Sequence, residues 1–501
     1  MESVESPLES MPSAEPRSSV ARAAIWDFGG RLANYVVLFV VGVVLTRLLS
    51  PAEFGAFAIV LSVITFSSIF IDLGFRSAIV QSQGTTQEQL STVFYLNLAL
   101  AVVIFAVFIG GAGYIERFYA ISGLRNYIWA ASLLFVINAL ALIPGGLLQK
   151  ELRLKALSLI NTSAAAISGG IAITLALLGF GIWTLVAQQV ISALVILIGT
   201  LVLSRWLPSF SFNPAAIKSL WHFGVRMFLS GFLETVFTRL DVFIIGKIFP
   251  IQTLGYYNRA QSLDGLVRNF SSSTTASVAF PVIAKMAADT EAVRTFYLRC
   301  LNAISFIAFL LIGVLFLTCF DIVTILFTDK WVEVGYFFRI MAVTGFVYPI
   351  SALMVNLIAA RGNAAAFLKL ETWKKAILFP AYLSFIVGGV YLFLVALGVA
   401  YLIALGLNAY FVRKETAITI SAQWIAIYRY GLVAILGTGA VFGLTYYLTN
   451  MYLHLVVSSV LFAGIYLLFC YKLKLPGFLE IYARIIAFYN DKRYANISSP
   501  A

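Results

Sequence analysis

The sequence predicts an all-α integral membrane protein of about 14 transmembrane helices, with two six-helix lobes and two further helices. Of its 501 residues, 61% are hydrophobic and only 11% are charged, whereas soluble domains carry about 25% charged residues. Apolar runs of about 20 residues, long enough to cross a bilayer as a helix, recur along the whole chain. One motif also occurs twice, which indicates an internal duplication.

The duplicated motif opens the first span of each lobe. Its residues are Trp26, Phe28, Gly29 and Arg31 in the first copy and Trp221, Phe223, Gly224 and Arg226, at the same spacing, in the second. Each copy leads through an apolar stretch to a turn with Pro and Gly, Pro51 to Gly55 and Pro250 to Gly255. Because six crossings is an even number, both copies start on the same side of the membrane, which predicts a parallel repeat.

The limits of the apolar runs place the individual spans. The first lobe has Ala23 to Leu49, Ala56 to Val80, Val93 to Ile115, Arg125 to Leu148, Leu157 to Leu178 and Gly181 to Leu203. The second has Gly224 to Phe249, Ala260 to Pro281, Cys300 to Phe327, Val334 to Ala359, Leu370 to Val390 and Tyr391 to Phe411. Gly431 to Leu448 and Met451 to Leu473 form the appended pair.

These spans divide the chain into five predicted segments. They are a disordered cytoplasmic tail over 1–20, an N-lobe over 21–205, a C-lobe over 206–415 with a short amphipathic lead-in, two helices over 416–475 and a cytoplasmic amphipathic tail over 476–501. Lys and Arg accumulate in the loops of one side, so the positive-inside rule places that side and both termini in the cytoplasm. We therefore predict a multi-pass membrane protein with both termini in the cytoplasm.

The net charge of +12 reflects this orientation and contact with anionic lipid headgroups, and it does not indicate nucleic-acid binding. The first span is too long for a removable signal peptide. The sequence shows no disulfide framework, no His or Cys at metal-ligand spacing, no phosphate-binding loop and no nucleophile elbow. We therefore predict neither a metal nor a cofactor, and no enzymatic activity.

Charged residues inside the predicted spans are the candidate functional groups. A charge near the middle of a transmembrane helix costs roughly 2.5 to 3.5 kcal/mol on insertion scales, so it must face protein or water. Three pairs place Arg four residues after Asp, which makes the two side chains neighbours on one helix face. These pairs are Asp27 with Arg31, Asp72 with Arg76 and Asp264 with Arg268.

Two interpretations of the pairs stay open. In the first, each Asp neutralises its Arg and lowers the insertion cost. In the second, the Arg residues line a water-filled cavity and bind an anionic group, while the carboxylates hold them in place or exchange with the substrate. Arg binds phosphate in bidentate fashion and never loses its proton, which suits a diphosphate. On this basis we predict Arg31, Arg76, Arg226 and Arg268 as the binding residues.

The span that begins at Gly224 is the most polar of all. Glu234 and Asp241 fall on nearly one face of this helix, whereas Arg239 points away from them. The carboxylates could carry H⁺ or Na⁺ or form an ion pair with another helix. Arg239 and Arg259 are second-line candidates for the anion site, and the carboxylates, including Asp27, Asp72 and Asp264, are candidates for ion coupling.

Three segments resemble a known family. They are Arg47-Leu-Leu-Ser-Pro-Ala-Glu-Phe-Gly-Ala-Phe, Asp72-Leu-Gly-Phe-Arg-Ser-Ala-Ile-Val-Gln, and the stretch from Leu240-Asp-Val-Phe-Ile-Ile-Gly-Lys to Leu254-Gly-Tyr-Tyr-Asn-Arg-Ala. They are similar to the polysaccharide transporter family, the bacterial Wzx-type flippases for lipid-linked oligosaccharides. The same superfamily holds the multidrug and toxin extrusion (MATE) proteins and the lipid II flippases. The resemblance covers both six-helix lobes.

The resemblance implies two lobes around a central cavity that opens alternately to each side of the membrane. The implied cargo is a short glycan on undecaprenyl diphosphate, moved across the inner membrane for exopolysaccharide, O-antigen or capsule biosynthesis. Membrane lipids, a polysaccharide polymerase and glycosyltransferases are the implied partners. The family supplies no residue motif for the site, so the four arginines rest on their position in this chain.

Two other functions compete with the flippase. A cation-coupled multidrug antiporter of the same fold would use Asp27, Asp72 and Asp241 as ion sites, but the arginines would repel cationic drugs. A membrane glycan ligase or polymerase would need a large extramembrane loop or clustered catalytic carboxylates or histidines. The predicted extracytoplasmic loops are only a few residues long, so we expect transport instead of catalysis.

Overall fold

The computed structural model describes residues 17–82, 84–213, 218–286, 289–361 and 363–484, and these residues form α-helices joined by short turns. No β-strand occurs within these ranges. The chain divides into two compact units, residues 1–255 and residues 256–501. Eleven helices of the described part are long and apolar enough to cross a membrane. The prediction of an all-α membrane protein is therefore confirmed, while the count of 14 and the repeat stay predictions.

The described residues of unit 1 form eight helices. They are α1 (Arg17–Leu48), α2 (Pro51–Asp72), α3 (Phe75–Gln81), α4 (Gln87–Tyr119), α5 (Leu124–Lys150), α6 (Leu154–Leu177), α7 (Ile182–Ser204) and α8 (Lys218–Ile248). Helix α9 (Ile251–Lys285) begins in this unit and continues into the second. Helix α1 begins at Arg17, three residues before the predicted end of the N-terminal tail at residue 20.

Unit 2 contains the remaining helices. They are α10 (Thr290–Phe327), a 3₁₀ turn (Asp329–Trp331), α11 (Val332–Val343), α12 (Val347–Ala360), α13 (Ala364–Thr416), α14 (Ile420–Thr445) and α15 (Met451–Lys472). A last described helix, α16, covers 476–484. It is the start of the predicted amphipathic tail, of which residues 485–501 lie outside the described part.

Helix α13 is long enough to cross the membrane twice, and it is broken near its middle. Its 53 residues would extend about 80 Å as one helix, more than twice the bilayer core of about 30 Å. Gly388 and Gly389 leave the helical conformation, and Gly389 has a φ of 68°. A left-handed φ is strained for residues other than glycine, so this pair forms the turn. The predicted boundary between Val390 and Tyr391 is thus correct to within two residues.

Two predicted spans are each broken, contrary to the sequence prediction. The span Ala56 to Val80 ends as α2 at Asp72 and resumes as α3, because Leu73 and Gly74 adopt left-handed φ values of 44° and 74°. The span Val334 to Ala359 is interrupted after Val343 and resumes at Val347. Both breaks lie near a glycine in an apolar run, and apolar length alone does not reveal them.

Helices α2 and α8 pack closely within unit 1. Near the start of α2, a Cβ on Gly55 would overlap the carbonyl oxygen of Ile251, and a Cβ on Gly255 would overlap that of Pro51. Farther along, ring pairs such as Phe66 with Phe232 pack at a centroid distance of 5.8 Å. The aromatic rings therefore hold α8 against α2, while the two glycines let the first turn of α9 approach the first turn of α2.

The segment after α7 lies against the start of α4. The Trp206 indole N–H donates to Gln87 at 2.7 Å, and the Ser209 main-chain N–H donates to the Ser91 hydroxyl at 2.9 Å. The Asn213 amide also donates to Glu88 at 3.0 Å. These hydrogen bonds hold residues 206–213, the first part of the predicted lead-in, against the first turns of α4.

In unit 2, α10 packs against α14 and α15 through aromatic side chains. The Tyr466 hydroxyl donates to the carbonyl oxygen of Phe306 at 3.0 Å, and the two rings stack at 5.7 Å. Helix α16 joins this core, because the Gly477 N–H donates to the Tyr430 hydroxyl at 2.8 Å and Phe478 packs on Phe306 at 5.7 Å. Leu479 and Tyr482 of α16 are exposed, as expected of a helix at a membrane surface.

Candidate functional site

Unit 1 encloses a polar cavity of about 380 Å³ between α2, α3, α5, α6 and α7. Most of its wall is aliphatic. Its polar lining residues are Ser68, Asp72, Arg76, Asn138, Asn161 and Thr200. A cavity with one cation, one carboxylate and several neutral polar groups is suited to a polar anionic ligand.

Arg76 reaches this cavity because α2 ends just before it. Asp72 is the last residue of α2, and after the break α3 begins at Phe75. Gly74 at the break lies against the carbonyl oxygen of Gly224 in α8, where a Cβ would not fit. The Arg76 main-chain N–H donates to Asp72 Oδ1 at 3.1 Å. The carboxylate therefore binds the backbone at the start of α3.

The Arg76 guanidinium is available to a ligand. The guanidinium forms no ion pair within the described residues. The hydrogen bond from Arg76 to Asp72 is donated by the main-chain N–H and not by the guanidinium. The Arg76 side chain is exposed in the isolated chain. This arrangement differs from the first interpretation of the sequence, in which the carboxylate of each pair directly neutralises its arginine.

Helix α5 makes room for Arg76 with the sequence Pro144-Gly145-Gly146. A Cβ on Gly145 would lie 3.6 Å from Arg76 Nη2 and 3.8 Å from Thr200 Cγ2. Pro144 lies inside α5, where it lacks the N–H that would bond the preceding turn. A larger residue than glycine at position 145 would therefore extend into the space beside the guanidinium.

Two asparagine amides complete the polar wall of the cavity. Asn138 on α5 and Asn161 on α6 line it, and neither forms a hydrogen bond within the described residues. The hydroxyls of Ser68 and Thr200 instead donate to carbonyls of their own helices, each at 2.8 Å. The amides thus offer both donors and acceptors to a ligand. Sequence reasoning missed them, although Asn inside an apolar span is itself a signal.

The pair Asp264 and Arg268 in unit 2 is organised differently. Arg268 Nε donates to Asp264 Oδ2 at 2.6 Å, and the guanidinium also stacks over the Tyr348 ring at 3.9 Å. Asp264 is 2% exposed and Arg268 is 32% exposed. Tyr401 packs edge-on against Tyr348 at 5.4 Å. Here the carboxylate does bind its arginine, as the first interpretation expects.

The other predicted residues occupy separate positions. Asp241 is buried and its Oδ1 accepts the Val242 N–H at 2.8 Å, while Glu234 is exposed and Arg239 is partly buried on the same helix. In unit 2, Arg259 is partly buried. Arg31 is exposed on α1, next to Gly30, which packs against Ser158 of α6. The side chains of Asp27 and Arg226 lie outside the described part of the chain.

One ionisable pair was not anticipated from the sequence. His454 Nδ1 on α15 lies 2.5 Å from Asp321 Oδ2 on α10, and both side chains are largely buried. The two residues are 133 positions apart, so no spacing rule could relate them. In the described ranges no three His, Cys, Asp or Glu side chains cluster as metal ligands would. The three cysteines are free thiols.

Comparison with known proteins identifies the family. The model of a family described as "Polysaccharide biosynthesis protein" matches residues 44–335. The chain is 28% identical over 276 residues to the succinoglycan biosynthesis transport protein ExoT of Rhizobium meliloti strain 1021, covering 54% of this chain and 55% of that protein. It is 24% identical over 357 residues to the lipopolysaccharide biosynthesis protein WzxC of Escherichia coli K12, covering 69% and 70% of the two chains.

Solved structures show the same fold at low sequence identity. The lipid II flippase MurJ in an inward closed conformation matches with a TM-score of 0.65 at 13% identity, over 90% of this chain and 99% of MurJ. An inward-facing MATE multidrug transporter matches with a TM-score of 0.59 at 16% identity, over 78% of this chain and 94% of the transporter. The match to ExoT spans about half of that relative's length. By the extent of the family match, the chain belongs to the family described as "Polysaccharide biosynthesis protein", and it shares its fold with MurJ and the MATE transporter.

Proposed function

We propose that this protein is a flippase that moves an undecaprenyl-diphosphate-linked oligosaccharide across the bacterial inner membrane by alternating access. The relative ExoT is named a succinoglycan biosynthesis transport protein, WzxC is named a lipopolysaccharide biosynthesis protein, and the structural neighbour MurJ is named a lipid II flippase. The observation that carries the proposal is the cavity beside Arg76, which combines an available guanidinium with neutral hydrogen-bonding groups. A site for cationic drugs would not present an arginine guanidinium to its ligand, because like charges repel.

The cavity matches the chemistry of the junction between diphosphate and glycan. A guanidinium donates two parallel hydrogen bonds to phosphate oxygens and keeps its charge at any physiological pH. The amides of Asn138 and Asn161 both donate and accept, as sugar hydroxyls require. We infer that Arg76 binds a phosphate and that the amides contact the adjoining sugar.

The position of the cavity suits loading from the inner leaflet. Asn161 lies seven residues after the first residue of α6, and Thr200 lies four residues before the last residue of α7. By the positive-inside prediction, both helix ends face the cytoplasm. The cavity would then lie in the cytoplasmic half of the bundle, within about 6 to 11 Å of those helix ends. Lipid-linked glycans assembled on the cytoplasmic face would meet it there.

Arg31, Arg226 and Arg268 remain proposed contacts for later stages of transport, and Arg239 and Arg259 remain second-line candidates. Arg268 would have to leave Asp264 before it could bind phosphate. Its carboxylate partner Asp264 remains a candidate for H⁺ or Na⁺ coupling, together with Asp27, Asp72, Glu234 and Asp241. We also propose that the chain forms the two predicted lobes, that both termini are cytoplasmic and that the protein has no enzymatic activity. Its proposed partners are a polysaccharide polymerase and glycosyltransferases.

Glycan export from cells tests the role of Arg76. In a strain that lacks the native copy, Arg76→Gln should reduce surface polysaccharide at least about tenfold, since a lost charged hydrogen bond is worth about 1.5 to 3 kcal/mol. Arg76→Lys should retain part of the export, because it keeps the charge but loses the bidentate geometry. Arg294→Gln is the matched control, as Arg294 forms an exposed ion pair with Glu291 at 3.6 Å. Normal export by the Arg76→Gln protein at normal membrane levels would exclude the proposed site.

A further inference from the structure

Unit 2 carries a long apolar groove along one face of α14, which we call the α14 groove. It is bordered by α10 and α11 and has a volume of about 810 Å³. Its lining residues on α14 recur every three or four positions from Trp424 through Tyr428 and Ile435 to Phe442. These 18 helical steps correspond to about 27 Å. The α14 groove is therefore a slot for an extended chain.

One end of the α14 groove carries an arginine. Arg339 of α11 is the one charged side chain among the described residues that line it. Its guanidinium carbon lies 4.1 Å from the centre of the Phe316 ring and 5.9 Å from that of Phe442. Arg339 Nε is buried and has no hydrogen-bond partner within the described residues. An unsatisfied charged donor beside an apolar slot favours a ligand with an anionic head and an apolar tail.

The α14 groove faces the lipid. Leu432 and Ile435, which line it, are 53% and 69% exposed in the isolated chain. Helix α14 is apolar enough to cross the bilayer, so these side chains contact lipid tails in the membrane. A lipid could thus enter the groove sideways without passing through water.

The charged end lies near one membrane boundary. Phe442 is three residues from the last residue of α14, and Arg339 is seven residues from the first residue of α11. These separations correspond to about 5 and 10 Å along the helices. By the positive-inside prediction both helix ends are extracytoplasmic. The guanidinium is thus within reach of a phosphate at the outer leaflet.

We propose that the α14 groove binds a polyprenyl phosphate, with the phosphate on Arg339 and the isoprenoid chain along α14. The length of the groove selects this occupant. One leaflet of the bilayer core is about 15 Å thick, half of the total, so an ordinary phospholipid tail would fill about half of the slot. A long isoprenoid chain would fill it. This inference rests on the proposed function, and it assigns the carrier lipid an outer-leaflet site in addition to the Arg76 cavity.

Binding to the purified full-length protein tests the proposal. The probe is undecaprenyl monophosphate, and the comparison ligands are undecaprenol, which lacks phosphate, and dipalmitoyl phosphatidylglycerol, which lacks the long chain. Native mass spectrometry gives the affinity of each. The wild type should bind the monophosphate at least about tenfold more tightly than either comparison ligand, as expected for one charge-assisted contact.

Two variants separate the head from the tail. Arg339→Gln should weaken binding of the monophosphate about tenfold and leave undecaprenol unchanged. Gly439→Leu should weaken both, because Gly439 lines the groove and faces open space. Gly464→Leu on α15 is the control, since position 464 also has open space but lies outside the groove. If Arg339→Gln does not fold, Gly439→Leu still tests the groove.

Two outcomes would overturn the proposal. One is equal affinity of the wild type for phosphatidylglycerol and the polyprenyl phosphate, which would make the groove a general lipid slot. The other is an unchanged affinity for the monophosphate in both variants. Because binding is measured without export, normal export by Arg76→Gln would refute the proposed function and leave this result standing.

Discussion

The backbones of Gly55 and Gly255 lie so close together that neither residue has room for a side chain. A Cβ on Gly55 would lie 3.1 Å from the Gly255 nitrogen, and a Cβ on Gly255 would lie 3.2 Å from the Gly55 nitrogen. Gly55 lies in the first turn of α2 and Gly255 in the first turn of α9, where the sequence analysis expects the corresponding Pro- and Gly-containing turns of the two motif copies.

Alanine at either glycine should destabilise the protein. Gly55→Ala and Gly255→Ala should each lower the free energy of unfolding by about 1 to 3 kcal/mol, because the new methyl group overlaps backbone atoms that cannot move aside. Thermal unfolding in detergent measures the effect. Gly111→Ala in α4, where nothing lies within 4 Å, should leave stability unchanged or raise it slightly. Equal melting curves for all three variants would show that the contact is not tight.

Filling the space beside Arg76 should reduce export without unfolding the protein. In Gly145→Val, the Cβ would already lie 3.6 Å from Arg76 Nη2, so the two γ-methyl groups beyond it should displace the guanidinium. We expect export to fall about tenfold or more, since a displacement of about 1 Å can reduce a rate about a hundredfold. The control is Gly170→Val on α6, which faces open space. Normal export by the Gly145→Val protein would argue against a ligand beside Arg76.

The pair Asp264 and Arg268 should behave as a structural ion pair. Asp264→Ala should cost about 2 to 3 kcal/mol of stability, below the 3 to 5 kcal/mol of fully buried pairs, because Arg268 is 32% exposed. Arg268→Met in the Asp264→Ala background should cost much less than in the wild type. A double-mutant cycle by chemical denaturation should give a coupling energy of about 0.5 to 3 kcal/mol. A coupling near zero would leave Arg268 available as a substrate contact.

The architecture follows from local properties of the sequence, and for that reason it was predictable. Apolar length and charge content suffice to identify membrane helices, because lipid cannot satisfy an exposed backbone. The turn at Gly388 and Gly389 was predictable for the same reason, since a run of that length must cross twice. The break at Leu73 and Gly74 was not, because it depends on the approach of Gly74 to Gly224, 150 positions along the chain.

The candidate site was only partly predictable. The intramembrane charge and the spacing of Asp72 and Arg76 identified Arg76 as a candidate. Asn138 and Asn161 belong to other helices, and only their packing brings them to the same cavity. The sequence also could not show that the guanidinium of Arg268 binds its carboxylate partner while that of Arg76 does not. The two pairs have the same spacing, but a helix break in one and a continuous helix in the other decide which carboxylate binds its guanidinium.

Transport in reconstituted liposomes tests the central claim most directly. The substrate would be the lipid-linked oligosaccharide isolated from a producing strain that lacks this protein, labelled on its glycan, and a membrane-impermeant quencher would report its movement between leaflets. The account predicts rapid movement with the wild type and, with Arg76→Gln, movement at the rate of protein-free liposomes. Movement by the Arg76→Gln protein at the wild-type rate, or none with the wild type, would contradict it.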